Sequence, residues 1–389
     1  MSFYLPHGTT RHRHGLIALS LIAALSACTA GQDKGPPAKP TRQANSAAND
    51  QKATVAKGET VTELDKAIFY ILQAKDNTYW FGSDGQGVYR YNGKTITRFT
   101  TKDGLVSNRI RGVQEDKAGN IYFTTYEGIS KFDRQSYTTL SVSTNSVATE
   151  WKKLPDDLWF VAAQDAGAVY RYDGKLLHRL ELPKTKIGDE QIARFPRSKY
   201  PNAIYSPYDV YTIVKDSKGN LWFGTAAAGV CRFDGHSLSW MYEKHLTEIE
   251  GGGSFGIRSI LEDKEGAFWI CNTRYRYRID PKDTSDPGAG FIKYKREKGI
   301  DHLKAPDGAD HVYFMSIIED EKGVLWMATY GSGVWRYDGD KVTRYPVKDG
   351  AKEITLFSIY KDNHGDLWLG THEAGAYKFN GKTFEKFRP

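Results

Sequence analysis

Asp216–Ser–Lys–Gly219–Asn–Leu–Trp222–Phe–Gly–Thr225, followed by Gly229–Val–Cys–Arg–Phe–Asp–Gly235, is the stretch that decides the fold. It returns as Asp320–Glu–Lys–Gly323–Val–Leu–Trp326–Met–Ala–Thr329 with Gly333–Val–Trp–Arg–Tyr–Asp–Gly339. It returns again as Asp362–Asn–His–Gly365–Asp–Leu–Trp368–Leu–Gly–Thr371 with Gly375–Ala–Tyr–Lys–Phe–Asn–Gly381. Aligned on the central aromatic, the copies fall at Trp80, Tyr122, Trp159, Trp222, Trp269, Trp326 and Trp368, spaced by 42, 37, 63, 47, 57 and 42 residues. A period near forty residues is one supersecondary unit repeated.

Each unit reads as four short strands. An apolar run such as Ile257–Glu262 ends in the Asp–x–x–Gly turn. The aromatic centres the second strand, and Val88–Tyr91 and its equivalents form the third. Thr343–Tyr345 or Phe384–Phe387 form the fourth. Trp, Tyr, Phe and Val suit a pleated, half-buried surface. Asp binds the backbone ahead of it and Gly supplies a positive φ, while Asn92–Gly93, Asp173–Gly174 and Asn380–Gly381 are hairpin turns. Seven such sheets packed radially bury both faces of each, which predicts an all-β, seven-bladed β-propeller over residues 61–389. The repeated Trp is then blade-to-blade core. The chain starts on a first strand and ends on a fourth, so ring closure falls to packing of the end blades or to residues 53–66.

Residues 1–27 read as an export signal: Arg11, His12, Arg13 and His14, then an apolar run from Gly15 to Leu25 too short to span a bilayer. Residues 28–60 are rich in Ala, Gly, Pro, Lys, Gln and Asn, which reads as a tether that cannot form a core. The formal charge of +7 becomes +5 once Arg11 and Arg13 leave with the signal, with signs mixed throughout, which gives no case for nucleic acid. Cys231 and Cys271 fall in adjacent blades, and a disulfide between them stays open.

Leu25–Ser–Ala–Cys28 resembles the lipobox of bacterial lipoproteins. That resemblance implies an acylated Cys28 anchored in a bilayer, and Thr29 behind it implies the outer membrane. The repeat, with Thr101–Lys–Asp–Gly104–Leu105 between blades, looks like the two-component regulator propeller repeat over about residues 67–387. In its best-known setting that repeat builds periplasmic sensor domains of histidine kinases, many responding to carbohydrates. Here one propeller stands without a membrane helix or kinase, so the resemblance implies recognition alone. Blade five departs from the pattern: Trp269–Ile–Cys–Asn–Thr–Arg274 lacks the Gly–Thr…Gly segment, which predicts a tighter hairpin.

Function is expected on the face holding the two-to-three loops and the four-to-one crossovers. The crossovers at about 180–208, with Tyr200, Tyr205 and Tyr208, and about 281–310 carry basic and aromatic residues, and both are assigned to that face. Arg111 and Arg258 hold matching places in first strands. Tyr126 with Glu127, Gln164 with Asp165, Tyr330, and His372 with Glu373 lie in two-to-three loops, and His311 precedes blade six. Aromatics with Arg and acids around a shallow mouth suit a glycan or a protein partner. No HExxH, CxxC, P-loop or GxSxG occurs, and no catalytic residue, cofactor or metal is assigned. The alternative is a lyase or hydrolase resembling the streptogramin lyases, with His311, His372 and Glu373 converging at the mouth; the lyase repeat usually shows Trp–Phe–Thr–Glu where Trp222–Phe–Gly–Thr225 stands here.

Overall fold

The Asp that opens each repeat does more than make a turn. The Asp216 carboxylate accepts the N–H of Lys218 (3.0 Å) and Asn220 (2.7 Å), and also the indole N–H of Trp222 (2.8 Å). Asp263 does the same for Trp269 (2.9 Å), Asp320 for Trp326 (3.1 Å) and Asp362 for Trp368 (2.8 Å). In blade two Asp116 takes the Tyr122 hydroxyl instead (3.0 Å). In these five blades the buried aromatic thus finds its polar partner six residues upstream, which a buried indole N–H requires. The cation of Gly–Val–x–Arg has its own task. Arg90, Arg232, Arg336 and Lys378 stand opposite Trp80, Trp222, Trp326 and Trp368 in strand register. They lie 5.1–5.9 Å from those ring centres, within cation–π range.

These units build seven antiparallel meanders in a computed structural model that describes residues 53–143, 151–163, 167–194, 198, 206–248, 255–280, 290–304 and 307–389. The stretch expected to be a signal peptide, Cys28, and most of the expected tether lie outside the described residues. The propeller is one compact unit. Its first, innermost strands are Ile68–Gln73, Ile110–Glu115, Val210–Lys215, Ile260–Glu262, Ser316–Glu319 and Leu356–Lys361. Blade three shows three strands among the described residues, from Leu158 to Glu181.

Each repeated Trp packs on the following blade. Trp80 meets Phe123 and Phe132 (both 5.3 Å), Trp222 meets Phe268 (4.6 Å) and Trp326 meets Phe379 (5.3 Å). Trp368 meets Tyr79 (4.9 Å) and Phe81 (5.9 Å) of blade one. The last and first blades therefore join by the same contact as their neighbours. A repeated hydrogen bond accompanies it: the N–H just after the turn aspartate's position reaches a Glu or Gln at the end of the next first strand. Lys75 reaches Glu115 (3.0 Å), Ser217 reaches Glu262 (2.6 Å), Lys264 reaches Glu319 (2.8 Å) and, at the closure, Asn363 reaches Gln73 (2.8 Å). Between blades six and seven the same two places hold Glu321 and Lys361, paired as ions. Of the stretch before blade one, Lys66 joins the closure through its carbonyl (2.7 Å to Gly375 N). Glu59–Val61 and Thr54–Val55 instead pair along the outer strands of blades one and two. Val142 and Phe291 reach the outer strands of blades three and four by single parallel bridges; an edge that is paired does not recruit other chains.

Two expectations are corrected, and the open question of the cysteines is answered. Tyr294–Lys298 is the fourth strand of blade five, paired with Tyr275–Ile279, so the excursion before it joins strands three and four on the opposite face from the crossovers. Its charged run resembles solvated loop, but Glu297 sits between Arg276 and Arg278 of the neighbouring strand, 3.0 Å from each. Tyr208 is buried beneath the crossover helix Lys186–Arg194, its hydroxyl bonded to Thr185 (2.8 Å), and is not offered to a ligand on that face; Tyr200 and Tyr205 lie outside the described residues. Cys231 and Cys271 are both free and buried. The blade-five hairpin is indeed shorter: Trp269 faces Arg276, whereas Trp222 faces Arg232.

Candidate functional site

The first strands of blades one, two, four and seven slip register at one place. The slips fall between Ile68 and Tyr70, Ile110 and Gly112, Val210 and Thr212, and Leu356 and Ser358. A bulge re-aims the side chain it carries, here Phe69, Arg111, Tyr211 and Phe357. Arg258, five residues before Asp263, holds the same place in blade five.

These side chains meet at the mouth of the central channel. Phe69 and Phe357 stack at 4.2 Å with rings 5° apart, and Tyr70 meets Phe357 edge-on at 5.5 Å. Arg111 lies 5.8 Å from the Phe69 ring and 4.1 Å from Tyr126, whose ring also carries Arg109 at 4.0 Å. Both guanidinium groups bind one carboxylate, Asp84, at 3.0 and 3.1 Å. Arg111 also donates to the Ile110 carbonyl (3.0 Å), which fixes its direction. Across the ring, Arg258 lies 4.5 Å over Tyr211 and has no carboxylate partner among the described residues. Arg111 and Arg258 both act electrostatically on Tyr70 and on His372.

The His372 ring is set edge-on against Phe69 (4.8 Å), Phe357 (5.4 Å) and Tyr330 (5.6 Å). Its Nε2 is buried without a hydrogen-bond partner. Burial holds the imidazole below its usual pKa and the Tyr70 hydroxyl above its own. Glu373 is engaged elsewhere, accepting the Thr355 N–H (3.2 Å) and lying 3.6 Å from Lys352.

Of the residues expected from sequence, Arg111, Tyr126, Arg258, Tyr330 and His372 come to this mouth. His311 does not. It is 3% exposed, stacked on Trp335 at 4.5 Å and bonded to the Ile300 carbonyl (3.2 Å), because its ring fills the seam between blades five and six. Gln164 and Asp165 lie outside the described residues. Sequence reading missed Phe69, Tyr70, Asp84, Arg109, Tyr211 and Phe357. The available signal was the place five residues before the turn aspartate, which holds Phe69, Arg111, Tyr211, Arg258, Met315 and Phe357. Among the described residues no three His, Cys, Asp or Glu side chains are grouped to hold a metal, and no helix is long and apolar enough to cross a membrane.

The two component regulator propeller profile matches residues 205–227 and 350–373. No curated protein matches the sequence. Among solved structures, one similar fold is the extracellular domain assigned to a hybrid two component system, BT4673 of B. thetaiotaomicron. The identity is 19% and the TM-score 0.54, over 83% of this chain and 39% of that one. Virginiamycin B lyase of Staphylococcus aureus is similar at 13% identity and TM-score 0.56, over 83% of this chain and 97% of that one. PorZ, a surface component of the type-IX secretion system of Porphyromonas gingivalis, is similar at 14% identity and TM-score 0.53, over 82% and 47%. This chain therefore spans about two fifths of the BT4673 extracellular domain, and at these identities the likeness is one of fold. The repeat chemistry, the profile matches and these folds agree: the chain is a β-propeller that carries the two-component regulator propeller repeat.

Proposed function

We propose that this chain is a non-catalytic recognition propeller, exported and held to the outer membrane by an acyl chain on Cys28. It would bind a polar ligand such as a glycan, or a protein partner, at the channel mouth and serve a system whose output lies in other proteins. One observation carries the reading. Bulged first-strand residues from separate blades converge with Tyr126 and His372 on one aromatic and cationic mouth. Side chains convergent on a concave, rigid site are the usual form of a ligand pocket. The lyase reading needs His311 beside His372 and Glu373, and His311 is buried at another seam.

The test is a thermal-shift screen against glycans, peptidoglycan fragments, short peptides and divalent cations. A ligand bound only by the folded state raises Tm by mass action. Hits should vanish in Arg111→Ala and Phe357→Ala. A hit that survives both substitutions moves binding away from the mouth, and conversion of the hit to product refutes the non-catalytic reading. Cys28→Ala should release the protein from membranes; retention there refutes the anchor.

A further inference from the structure

Among the described residues, the mouth sets three arginines, Arg109, Arg111 and Arg258, against one paired carboxylate, Asp84. Arg109 and Arg111 share the single carboxylate of Asp84. Arg258 is half-buried, lies over the Tyr211 ring and has no carboxylate partner among the described residues. A cation–π contact lowers the energy of a guanidinium but leaves its charge and its planar donor fork available. Glu373 at the rim is matched by Lys352. Tyr70 and His372, which the two arginines face, are held neutral near pH 7 by burial. The unpartnered Nε2 of His372 adds a buried polar atom without a bond. A low-dielectric rim with one sign of net charge focuses the field on its centre.

We infer that this mouth takes the oxyanion of a small ligand, a carboxylate, sulfate or phosphate, seated between Arg111 and Arg258 with the rest of the molecule over Phe69 and Phe357. The inference rests on the mouth being the binding site. Guanidinium groups bind such anions through paired, charge-assisted hydrogen bonds. Arg111 and Arg258 come from blades three apart in the ring, so an anion between them sits near the channel axis.

The experiment is calorimetric titration of the full chain in detergent with D-glucuronate, D-glucose, inorganic sulfate and inorganic phosphate. Glucuronate should bind at least about tenfold more tightly than glucose, and more weakly as salt is raised. Arg258→Gln should lose about tenfold or more, Arg258→Lys less, with Tm in the absence of ligand held within a few degrees by either. Binding of sulfate or phosphate in place of glucuronate also supports the inference and assigns the oxyanion to that source. Glucose binding as tightly as glucuronate, with Arg258→Gln silent, overturns it. If Phe357→Ala still abolishes that binding, the mouth remains the site and only the anion is refuted. Failure of all three anions to bind overturns the inference as well, and the broader screen then judges the mouth by itself.

Discussion

Replacing Asp362 with Ala should destabilise the propeller more than the equivalent change at Asp216, because only Asp362 also ties the last blade to the first. Asp362 is 4% exposed and accepts four hydrogen bonds: from His364 N and Asp366 N (2.9 Å each), Trp368 Nε1 (2.8 Å) and the Tyr79 hydroxyl (2.7 Å). The two backbone donors lie in a surface turn and can turn to water. The Trp368 indole cannot, and a buried donor left unmet costs about 1–3 kcal/mol, while the half-buried Tyr79 hydroxyl loses a bond to a charged acceptor, about 1.5–3 kcal/mol. Asp362→Ala should therefore cost about 2–6 kcal/mol and Asp216→Ala, with Trp222 as its one buried donor, about 1–3 kcal/mol. A double-mutant cycle with Tyr79→Phe isolates the closing bond, and its coupling should be about 1.5–3 kcal/mol for a charged acceptor. Urea unfolding followed by circular dichroism and by tryptophan fluorescence gives these values where the two transitions coincide. The carboxyl adds a pH signature. Burial pushes its pKa up, but the bonds from Tyr79, Trp368 and the turn outweigh burial and hold it low. Its stabilisation is thus full above the unfolded value near pH 4 and is lost as pH falls through the folded one, a loss that Asp362→Ala should lack. Coupling under about 0.5 kcal/mol, or equal costs at Asp216 and Asp362, would refute the claim that closure is bonded here.

Three further outcomes are expected. Gly229→Ala should destabilise by about 1–3 kcal/mol, since φ is 98° and a Cβ would lie 2.4 Å from the Met241 carbonyl; an unchanged urea midpoint would contradict this. Burial lowers the pKa of both His372 and His311, so the unfolded chain takes their protons first. Stability should then be full above about pH 6.5 and fall on acidification, with the fall reduced when both are replaced by Gln; an unaltered pH profile in that variant excludes them as its source. Burial pushes the Cys271 thiol up to about 11 and raises Cys231 as well. Iodoacetamide at pH 8 should label neither in the native state and both in urea, and peptide mapping that finds either alkylated natively shows the burial to be wrong.

The fold was legible because its determinants are local and repeat. Asp216, Gly219, Trp222, Thr225 and Gly229 complete one another's hydrogen bonds within a single blade. Thr225, for instance, donates to the Gly229 carbonyl (2.7 Å) and accepts the Ala228 N–H (3.0 Å). A motif that closes on itself is visible as a string. The interblade bonds were not visible, because Gln73 and Asn363 are 290 residues apart and meet only once the ring is formed. The charged strand Tyr294–Lys298 was misread for a related reason. Its burial depends on Arg276 and Arg278 on the neighbouring strand rather than on any apolar alternation of its own. His311 was misread because a histidine before a first strand fits a rim as well as a seam, and only Trp335 beneath it decides between them.

The same local closure explains why function is harder to read than fold. The turn aspartate, the Trp and the strand-three cation satisfy one another whatever stands five residues before the aspartate. That place is displaced from the ladder by a bulge in blades one, two, four and seven, so the sheet's hydrogen bonding does not select its side chain. Phe69, Arg111, Tyr211, Arg258, Met315 and Phe357 occupy it, a range no packing rule of the blade would produce. Six nearly equivalent scaffolds thus present unlike side chains to one centre. Recognition is then set by their combination around the ring: a stacked phenylalanine pair beside an arginine that shares its carboxylate with Arg109, and a second arginine across the ring without a carboxylate partner among the described residues. A substitution at one of these places should change binding while leaving the blade's own bonds intact, whereas a substitution at Asp216 or Trp222 should do the reverse.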